Sequence, residues 1–562
     1  MSPNLLSSSR MKLKAGFVLC SLLVVFSMLL AACGDGNGQP STSSNHHNVV
    51  HIGAFVGDAF TKTTSPYNGN ANPGTLGMVY DTLFFVNLND GKYTPLLGLS
   101  YAWNSDNTQL TVNLRQNVKW SDGQAFSSDD VAFTFNTVLK QAKGVADTNG
   151  LWNYLKSVAA TDANTVTFTF NNAVTPEAYY VLAATYIVPK HVWSTVQNPT
   201  TENPPLVGTG PYTQSKFSPA LLVYTRNTNY WDNANNKIDE LDYPAIKDNA
   251  TLEEELIKGQ VDWGSFGADA SLKSAYVDKD PDHNKYWFSS TAIVALYLND
   301  SKAPFNDPNV RQAISAALDR QSMSTQAENG YESPANSVAV ISSNSSFLDS
   351  QYSTVQTAPD AAKVDQYLKA SGYTKTNGFY TKNGQKITVK YNVPSDWGDW
   401  VAVANIMKQN LQSVGIDGQV NAISDDNYFT ARSTGSFDAM IGGMFGGPTP
   451  YYLYNTHLNS KNDASTGGWN WGHYKNPDFD TLLQQYASTS DATQQQSLVK
   501  QMEALYNKDM PVVPLLNAAN WYEYSTLHYT GWPSQDDPYA LGPAYDAPGN
   551  AIIVTHLQPT GK

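Results

Sequence analysis

Residues 110–131 read LTVNLRQNVKWSDGQAFSSDDV, and this stretch carries signals for both kinds of regular structure. Gln109 to Leu114 alternates polar and apolar side chains, which predicts a half-buried strand. Ser127 is followed by two acids and then by an apolar run, a pattern that predicts the capped start of a helix over residues 131–139. The stretch therefore predicts a strand followed by a helix, as in an α/β protein.

The same mixture of signals continues on both sides of this stretch, without a repeat or a long linker. Such a mixture over more than 500 residues favours lobes built from discontinuous segments over a row of separate domains. The further predicted elements are strands at 49–55 and 165–170, helices at 309–320 and 401–413, and a helix start at Asp425-Asp426.

Length and composition indicate a folded binding protein rather than a disordered or nucleic-acid-binding one. The chain has 562 residues, enough for two or three domains, and 41% of them are apolar. The formal net charge of −14 argues against nucleic acid as a partner, because phosphate binding needs a basic surface. The 33 Tyr, 13 Trp and only two Cys are typical of an extracytoplasmic protein rich in aromatic contacts.

The N-terminus has the features of a secretion signal. Three cations precede an apolar run from Ala15 to Ala32, and Leu30-Ala31-Ala32-Cys33 resembles the bacterial lipoprotein box. We expect residues 1–32 to be removed and Cys33 to carry a diacylglycerol, with a retained membrane-spanning helix as the alternative. Removal would change the net charge from −14 to −17 and leave no free thiol or disulfide, since Cys20 lies in the signal. Residues 33–47 are predicted to be a flexible tether.

A search for enzyme signatures finds none that the surrounding sequence supports. The chain lacks a Gly-x-Ser-x-Gly elbow, a phosphate-binding loop and a His-Glu-x-x-His motif. Gly208-Thr209-Gly210-Pro211 resembles the start of a dinucleotide loop, but Pro211 and the missing third glycine argue against it. His46, His47 and His51 are interpreted as exposed polar residues. We therefore predict a binding protein that is not an enzyme and has no cofactor and no metal site.

Residues 110–131 closely resemble the signature of the family 5 extracellular solute-binding proteins. Two further segments match in family order: residues 207–212, which continue to Arg226-Asn227-Thr228-Asn229-Tyr230-Trp231, and Phe305 to Arg320. Members of this family are the oligopeptide, dipeptide and nickel receptors of ABC importers. The matches extend over nearly the whole chain after residue 47.

The resemblance implies an α/β fold of the type II periplasmic-binding-protein kind, with two lobes joined by hinge crossovers. Lobe I would comprise residues 48–295 and 519–562, with an inserted subdomain near 75–205, and lobe II residues 296–518. It also implies a monomeric, extracytoplasmic receptor that is held at the membrane by its lipid anchor and delivers solute to an ABC permease.

The resemblance also suggests where ligand would bind, and where this chain departs from the family. In peptide-binding members an aspartate of lobe II pairs with the amino terminus of the peptide. The corresponding region here, residues 442–452, has no carboxylate. A buried ammonium without a counter-charge is costly, so this departure weakens a simple peptide-binding interpretation. Asp396, Asp399 or Asp438 could take that place.

Aromatic residues are the main candidates for ligand contact, because their flat faces suit sugars, prolines and aromatic side chains. Half or more of these rings could instead belong to the core. We predict capture of oligopeptides, with oligosaccharide binding as the alternative and a secreted hydrolase as a less favoured one. The predicted ligand contacts are Tyr67, Asn68, Trp263, Phe266, Tyr297, Trp397, Trp400, Phe445, Gly446, Gly447, Tyr451 and Trp471.

Overall fold

The computed structural model describes residues 47–54, 57–140, 151–267 and 271–562. The predicted signal peptide, the predicted anchor Cys33 and most of the predicted tether lie outside these ranges. Within them, none of the helices combines the length and the apolar character that crossing a membrane requires.

Twenty-three strands are numbered here in chain order within the described ranges. They are β1 Val49–Gly53, β2 Phe84–Asn87, β3 Lys92–Pro95, β4 Gly98–Trp103, β5 Gln109–Leu114, β6 Leu155–Asp162, β7 Thr165–Phe170, β8 Tyr212–Ser218, β9 Leu221–Arg226, β10 Glu240–Pro244, β11 Trp263–Gly264, β12 Asn284–Tyr286, β13 Ser289–Leu298, β14 Thr374–Thr376, β15 Phe379–Lys382, β16 Gln385–Lys386, β17 Thr388–Pro394, β18 Asp417–Ile423, β19 Ala439–Phe445, β20 Val512–Asn520, β21 Glu523–Ser525, β22 Tyr529–Thr530 and β23 Gln558–Pro559.

Fifteen α-helical segments accompany these strands in the described ranges. They are α1 Ser128–Phe133, α2 Leu151–Tyr154, α3 Glu177–Leu182, α4 Lys190–Trp193, α5 Asn249–Ile257, α6 Leu272–Ala275, α7 Pro308–Ala316, α8 Arg320–Ser322, α9 Ala361–Ala370, α10 Gly398–Val414, α11 Asp425–Thr434, α12 Pro450–Leu458, α13 Pro477–Ala487, α14 Ala492–Asp509 and α15 Gly549–His556.

Lobe I is built on a seven-stranded mixed sheet in the order β12-β21-β11-β1-β10-β9-β8. The first strand of the chain, β1, runs parallel to both β10 and β11. The late strand β21 lies between β11 and β12 and is antiparallel to both. The sheet therefore needs segments from both ends of the described chain, which is the discontinuous arrangement that the sequence predicts.

A four-stranded antiparallel sheet, β4-β5-β7-β6, lies within the predicted inserted subdomain and has a hydrophobic core of its own. The period-2 alternation of β7 appears directly in its burial, because Val166, Phe168 and Phe170 are buried and the threonines between them are half-buried. Trp120, in the stretch that opens the sequence analysis, is completely buried in this core.

Lobe II is built on a five-stranded sheet in the order β18-β17-β19-β13-β20. Strands β17, β18 and β19 run parallel to one another, whereas β13 is antiparallel to β19 and to β20. The helices of this lobe pack on the sheet around the largest hydrophobic core of the described residues.

Two long strands connect the lobes and are paired with each other. β13 leaves lobe I and enters the lobe II sheet, and β20 runs back toward lobe I. Ser289 is opposite Asn520 and Tyr297 is opposite Val512, so the two crossovers form one antiparallel ribbon. The predicted lobe boundaries at 295/296 and 518/519 fall within these two strands.

The predicted local elements are present, and the differences have local causes. The strands predicted at 109–114 and 165–170 have those bounds, and a helix starts at Asp425 as expected. The helix predicted over 309–320 ends at Ala316, because Asp319 caps a separate turn by accepting a hydrogen bond from Ser322 N at 2.8 Å.

Candidate ligand-binding site

The carboxyl-terminal edge of the lobe II sheet faces lobe I. The parallel strands β17 and β19 end there at Pro394 and Phe445, and β13 arrives at the same edge from lobe I, with Ala292 opposite Phe445. In lobe I, the equivalent edge lies beyond Gly53 and Gly264, where β1 and β11 end. Open α/β sheets bind ligands at the carboxyl ends of their strands, so the space between these two edges is the candidate site.

A cavity of about 660 Å³ lies at the crossovers, where both lobes contribute to its wall. Ser289 and Ser290 line it from β13, and Asn517 and Ala519 line it from β20. This volume lies within the usual range for small-molecule sites. None of the residues predicted to touch ligand, all of which belong to the described ranges, lines this cavity.

Four aromatic rings pack together beside this cavity and connect the two lobes. Phe288 lies 4.9 Å from Tyr286, 5.2 Å from Tyr331 and 4.8 Å from Trp521, measured between ring centroids. Tyr331 belongs to lobe II, whereas the other three rings belong to lobe I or to the ends of the crossovers. Motion at the hinge would therefore change this aromatic contact.

A buried histidine fixes the end of β19. His457 is completely buried, and its Nε2 accepts a hydrogen bond from Phe445 N at 3.0 Å. Because Nε2 is the acceptor, the proton lies on Nδ1, which donates to the Tyr297 hydroxyl at 3.0 Å. Tyr297 in turn donates to Gly443 O at 3.4 Å. Burial lowers the pKa of His457 from 6.5 to about 3, so the ring is neutral.

The turn after β19 needs small residues. A Cβ at Gly446 would lie 2.8 Å from Ile341 Cδ1, and one at Gly447 would lie 2.7 Å from the ring of Tyr452. Both distances are shorter than real Cβ contacts, so glycine lets the chain approach these neighbours closely. The turn thus presents backbone rather than side chains beyond Phe445.

The three acids suggested as replacements for the family's aspartate occupy different places in lobe II. Asp438 precedes β19, lies at the opposite edge of the sheet and pairs with Lys302 at 3.1 Å. Asp399 Oδ1 accepts a hydrogen bond from Trp400 N at 2.8 Å. Asp396 accepts one from Ser395 Oγ at 3.0 Å. All three are exposed, and only Asp396 and Asp399 lie at the edge that faces lobe I.

The structure brings several predicted aromatic residues together in one row, which we call the aromatic row. Phe445 and Trp469 are 51% and 46% exposed and lie 6.2 Å apart, and Trp469 stacks on Trp471 at 5.6 Å. The row continues through cation–π and ring contacts that end at Trp397, the N-cap residue of α10, and at Trp400 in the first turn of α10. In order, its members are Phe445, Trp469, Trp471, Arg432, Phe429, Trp397 and Trp400.

Other predicted residues are placed in the hydrophobic cores. Trp263 is completely buried and donates through Nε1 to Gly542 O at 2.9 Å, and Phe266 packs in a small cluster of lobe I. Trp471 is buried beneath Trp469, and Tyr451 stacks on Tyr486 at 4.6 Å. In this conformation these side chains do not reach the space between the lobes.

The two remaining predicted residues contact the segment that follows the inserted sheet. The Tyr67 hydroxyl donates to Tyr186 O at 2.7 Å, and Asn68 Nδ2 donates to Thr200 O at 2.7 Å. Both side chains are half-buried. Their hydrogen-bonding groups hold the loop after β1 in place.

The sequence analysis missed one exposed segment of lobe I. Tyr545 is 55% exposed and lines a second cavity of about 280 Å³, together with Ala54 and residues 70–74. Asp546 follows it and precedes α15. The available signal was an aromatic–acid pair between Pro543 and Pro548, directly before an apolar helix.

Two glutamates of lobe II are buried next to the larger cavity. Glu332 Oε1 accepts a hydrogen bond from Ala519 N at 2.8 Å, which ties it to the crossover β20. Glu328 is also buried, and one carboxylate oxygen of each glutamate has no hydrogen-bond partner within the described ranges. Burial raises the pKa of both carboxyls, and the charge of Glu332 raises that of Glu328 further.

The inserted subdomain bonds directly to lobe II, at contacts that we call the latch. Thr175 N donates to Ala487 O at 2.8 Å, and Thr175 Oγ1 donates to Thr489 O at 2.9 Å. The Tyr452 hydroxyl donates to Pro176 O at 2.9 Å. These bonds hold the two lobes together away from the crossovers.

The described residues offer no candidate metal centre. No group of three or more His, Cys, Asp or Glu side chains in these ranges could hold a metal ion. His51 lies in β1, within the strand predicted at 49–55, and its Nδ1 is 3.6 Å from Asp242 Oδ2.

Comparison with known proteins gives the same assignment from several directions. The profile of the bacterial extracellular solute-binding proteins, family 5, matches residues 92–465. The oligopeptide-binding protein OppA of Bacillus subtilis is 24% identical, over 90% of this chain and 94% of that protein. The periplasmic OppA of Salmonella typhimurium is 26% identical, over 77% of this chain and 81% of that protein.

Solved structures share the fold. A periplasmic oligopeptide-binding protein of an ABC transporter from Thermotoga maritima superposes with a TM-score of 0.82, covering 92% of this chain and all of that one at 23% identity. Its mannohexaose-bound form superposes with a TM-score of 0.75, covering 92% of this chain and 99% of that one at 24% identity. Because the family profile spans well over half of the chain, the protein belongs to the bacterial extracellular solute-binding proteins of family 5.

Proposed function

We propose that the protein is the lipid-anchored solute receptor of an ABC importer, and that it captures oligopeptides between its lobes. The observation that carries this proposal is the cavity of about 660 Å³ at the paired crossovers, whose wall comes from both lobes. A ligand in that space contacts both lobes only when they are closed. The receptor would act as a monomer and present its closed form to the permease.

Closure follows from differential binding. A ligand shifts the balance between open and closed forms only by as much as it binds the closed form better. Contacts made with both lobes exist only in the closed form, and the latch adds hydrogen bonds that do not depend on ligand. The strength of the latch therefore determines how much free energy ligand binding must contribute to favour the closed form.

Oligopeptide is the favoured ligand because an extended peptide suits the available contacts. The turn at Gly446 and Gly447 presents backbone groups, and the aromatic row offers apolar faces for side chains. Peptides pair their main chain with strand edges and place alternate side chains in pockets. The OppA relatives are named for oligopeptide binding, which supports this choice.

Oligosaccharide is the second candidate, favoured by one observation. Phe445 and Trp469 expose about half of their surface, and Trp469 lies flat on Trp471. Exposed rings that are held rigid by stacking present the flat apolar faces that sugar rings cover. The mannohexaose-bound structure of the Thermotoga maritima protein supports this alternative.

Native mass spectrometry of the purified protein tests the ligand class. A series of retained masses spaced by amino-acid residues would support the peptide function, and hexose spacing would replace it with the sugar function. The same spectrum reports whether the protein is a monomer. Incubation with peptide and glycan libraries should show binding without cleavage, and measurable turnover would instead favour a secreted hydrolase.

The lipid anchor is tested separately. Cys33→Ala should move the protein from the membrane fraction to the soluble fraction, because no acceptor for the diacylglycerol would remain. Metabolic labelling with a fatty acid should mark the unsubstituted protein and not the variant. Continued membrane attachment of the variant would support a retained helix at residues 15–32.

A further inference from the structure

The segment 543–548 lies at the edge of lobe I that faces lobe II. β12 runs parallel to β1, so both strands end at this edge, and the crossover β13 starts shortly after β12. Tyr545 and Ala547 line the cavity of about 280 Å³ together with Ala54, which follows the end of β1. Asp546 lies between these two lining residues, three residues before α15 begins at Gly549.

The carboxylate of Asp546 is not neutralised by the protein. It is half-buried, and within the described ranges no hydrogen-bond donor and no Lys, Arg or His pairs with it. Burial raises its pKa from 3.8 to about 7. The residues that its charge affects are three tyrosines, Tyr179, Tyr186 and Tyr545, in each of which burial raises the pKa and Asp546 raises it further.

Other buried acids near the crossovers do not have this accessibility. Glu523 is completely buried, and both of its carboxylate oxygens lack hydrogen-bond partners among the described residues. Glu328 and Glu332 are buried behind the wall of the larger cavity. Asp546 differs because the residue is only half-buried and lies next to Tyr545, which is 55% exposed.

A half-buried anion without a cation is costly. At the strand end of lobe II, residues 442–452 lack the carboxylate that could pair with the ammonium of a ligand. We propose that Asp546 is the counter-charge for the ammonium of a peptide amino terminus, the positively charged end of the ligand. Lobe I would then bind this charge. The assignment rests on the proposed peptide function.

Asp546 and Tyr545 would make different contacts with this end of the ligand. The ammonium donates hydrogen bonds to the carboxylate oxygens of Asp546, and the exposed ring of Tyr545 covers the first residue of the peptide. Oδ2 of Asp546 lies over Gly549, where a Cβ would collide with it. Glycine at the start of α15 therefore leaves room for the carboxylate in this position.

The test is a competition between peptides with free and blocked amino groups. A chymotryptic digest of casein is mixed with the same digest after heavy acetylation of its amines, and native mass spectrometry reports the ratio retained. The unsubstituted protein should favour free amines by about tenfold to a hundredfold, the range expected for a hydrogen bond between charged groups. Asp546→Asn should bring the ratio close to one. Asp282→Asn, at an exposed acid of lobe I, is the matched control and should keep the preference.

The pH dependence gives a second readout, in which the unsubstituted protein is compared with Asp546→Asn. Between pH 7 and pH 5 the preference for free amines should fall, because Asp546 takes up a proton and no longer attracts the ammonium, whereas the peptide amino terminus, with a pKa of about 7.7–8.0, stays mostly charged. Burial also raises the pKa of Asp81 and of Glu332 to about 7, so any fall in the preference that persists in Asp546→Asn would come from these two carboxyls and not from Asp546.

The outcomes separate the two proposals. An unchanged preference in Asp546→Asn overturns the role of Asp546 and leaves the peptide function standing. Equal retention of free and acetylated peptides by the unsubstituted protein does the same. Retention of no peptide from either half of the mixture overturns the peptide function and this role with it.

Discussion

The His457 network makes a prediction about stability that can be worked through in numbers. In His457→Leu, the side chain has a similar volume but can neither accept from Phe445 N nor donate to Tyr297. Two polar groups then lose their partner inside the core. At about 1–3 kcal/mol for each unsatisfied buried group, we expect a loss of about 2–6 kcal/mol at pH 7.

The same substitution should cost less at low pH. The pKa of His457 is about 3 in the folded protein and 6.5 in the reference state, so only the unfolded chain takes up a proton between these values. Its contribution to stability is therefore present above pH 6.5 and falls as the pH falls. At pH 5 the unsubstituted protein has lost about 2 kcal/mol from this group, and the variant has not.

Urea unfolding at pH 7 and pH 5, followed by tryptophan fluorescence, measures this difference. The cost of His457→Leu should shrink by about 2 kcal/mol between the two conditions. His556→Leu, at an exposed histidine of α15, is the control and should change the free energy of unfolding little at either pH. An equal cost of His457→Leu at both pH values would refute the neutral, buried state of this histidine.

Three further predictions concern other parts of the molecule. Glu332→Gln should raise the thermal midpoint more at pH 8 than at pH 5, because a carboxyl with a raised pKa destabilises the folded state as the pH rises; an equal gain at both would contradict this. Trp469→Ala should weaken ligand binding by about 1 kcal/mol without lowering the thermal midpoint, since its ring is 46% exposed; unchanged affinity in calorimetry would remove the aromatic row from the site. Thr175→Val should weaken the latch by about 1 kcal/mol, or about fivefold in the ratio of the closed to the open form. Small-angle scattering should then show a larger radius of gyration, whereas Thr161→Val, at an exposed hydroxyl, should leave it unchanged.

Elements governed by local signals could be predicted from the sequence. Alternation fixed the strand at residues 109–114, and the helix at Gly398–Val414 ends where Gly415 adopts a positive φ of 97°. The motifs of family 5 predicted the fold, because they depend on residue identity at fixed spacing. The residues that give each of these signals are close together in the sequence.

Exposure of single aromatic rings could not be predicted in this way. Trp471 is among the predicted ligand contacts, yet it is buried, whereas its neighbour Trp469 is exposed and covers it. Which of the two faces outward depends on His457 and Arg432, which come from other helices. Tyr545 was missed for the same reason, because its surroundings come from the other end of the chain.

The position of β21 has a consequence for the order in which the protein can assemble. Tyr524 is opposite Trp263 in β11 and opposite Lys285 in β12, so one late strand joins two early ones. During synthesis, every strand of the lobe II sheet emerges before β21 does. We expect lobe II to form its core first. Strand edges in the early part of lobe I would stay unpaired until the last forty or so residues of the chain have been synthesised. A chain truncated after β20 would keep the hinge and lose the strand that joins β11 to β12.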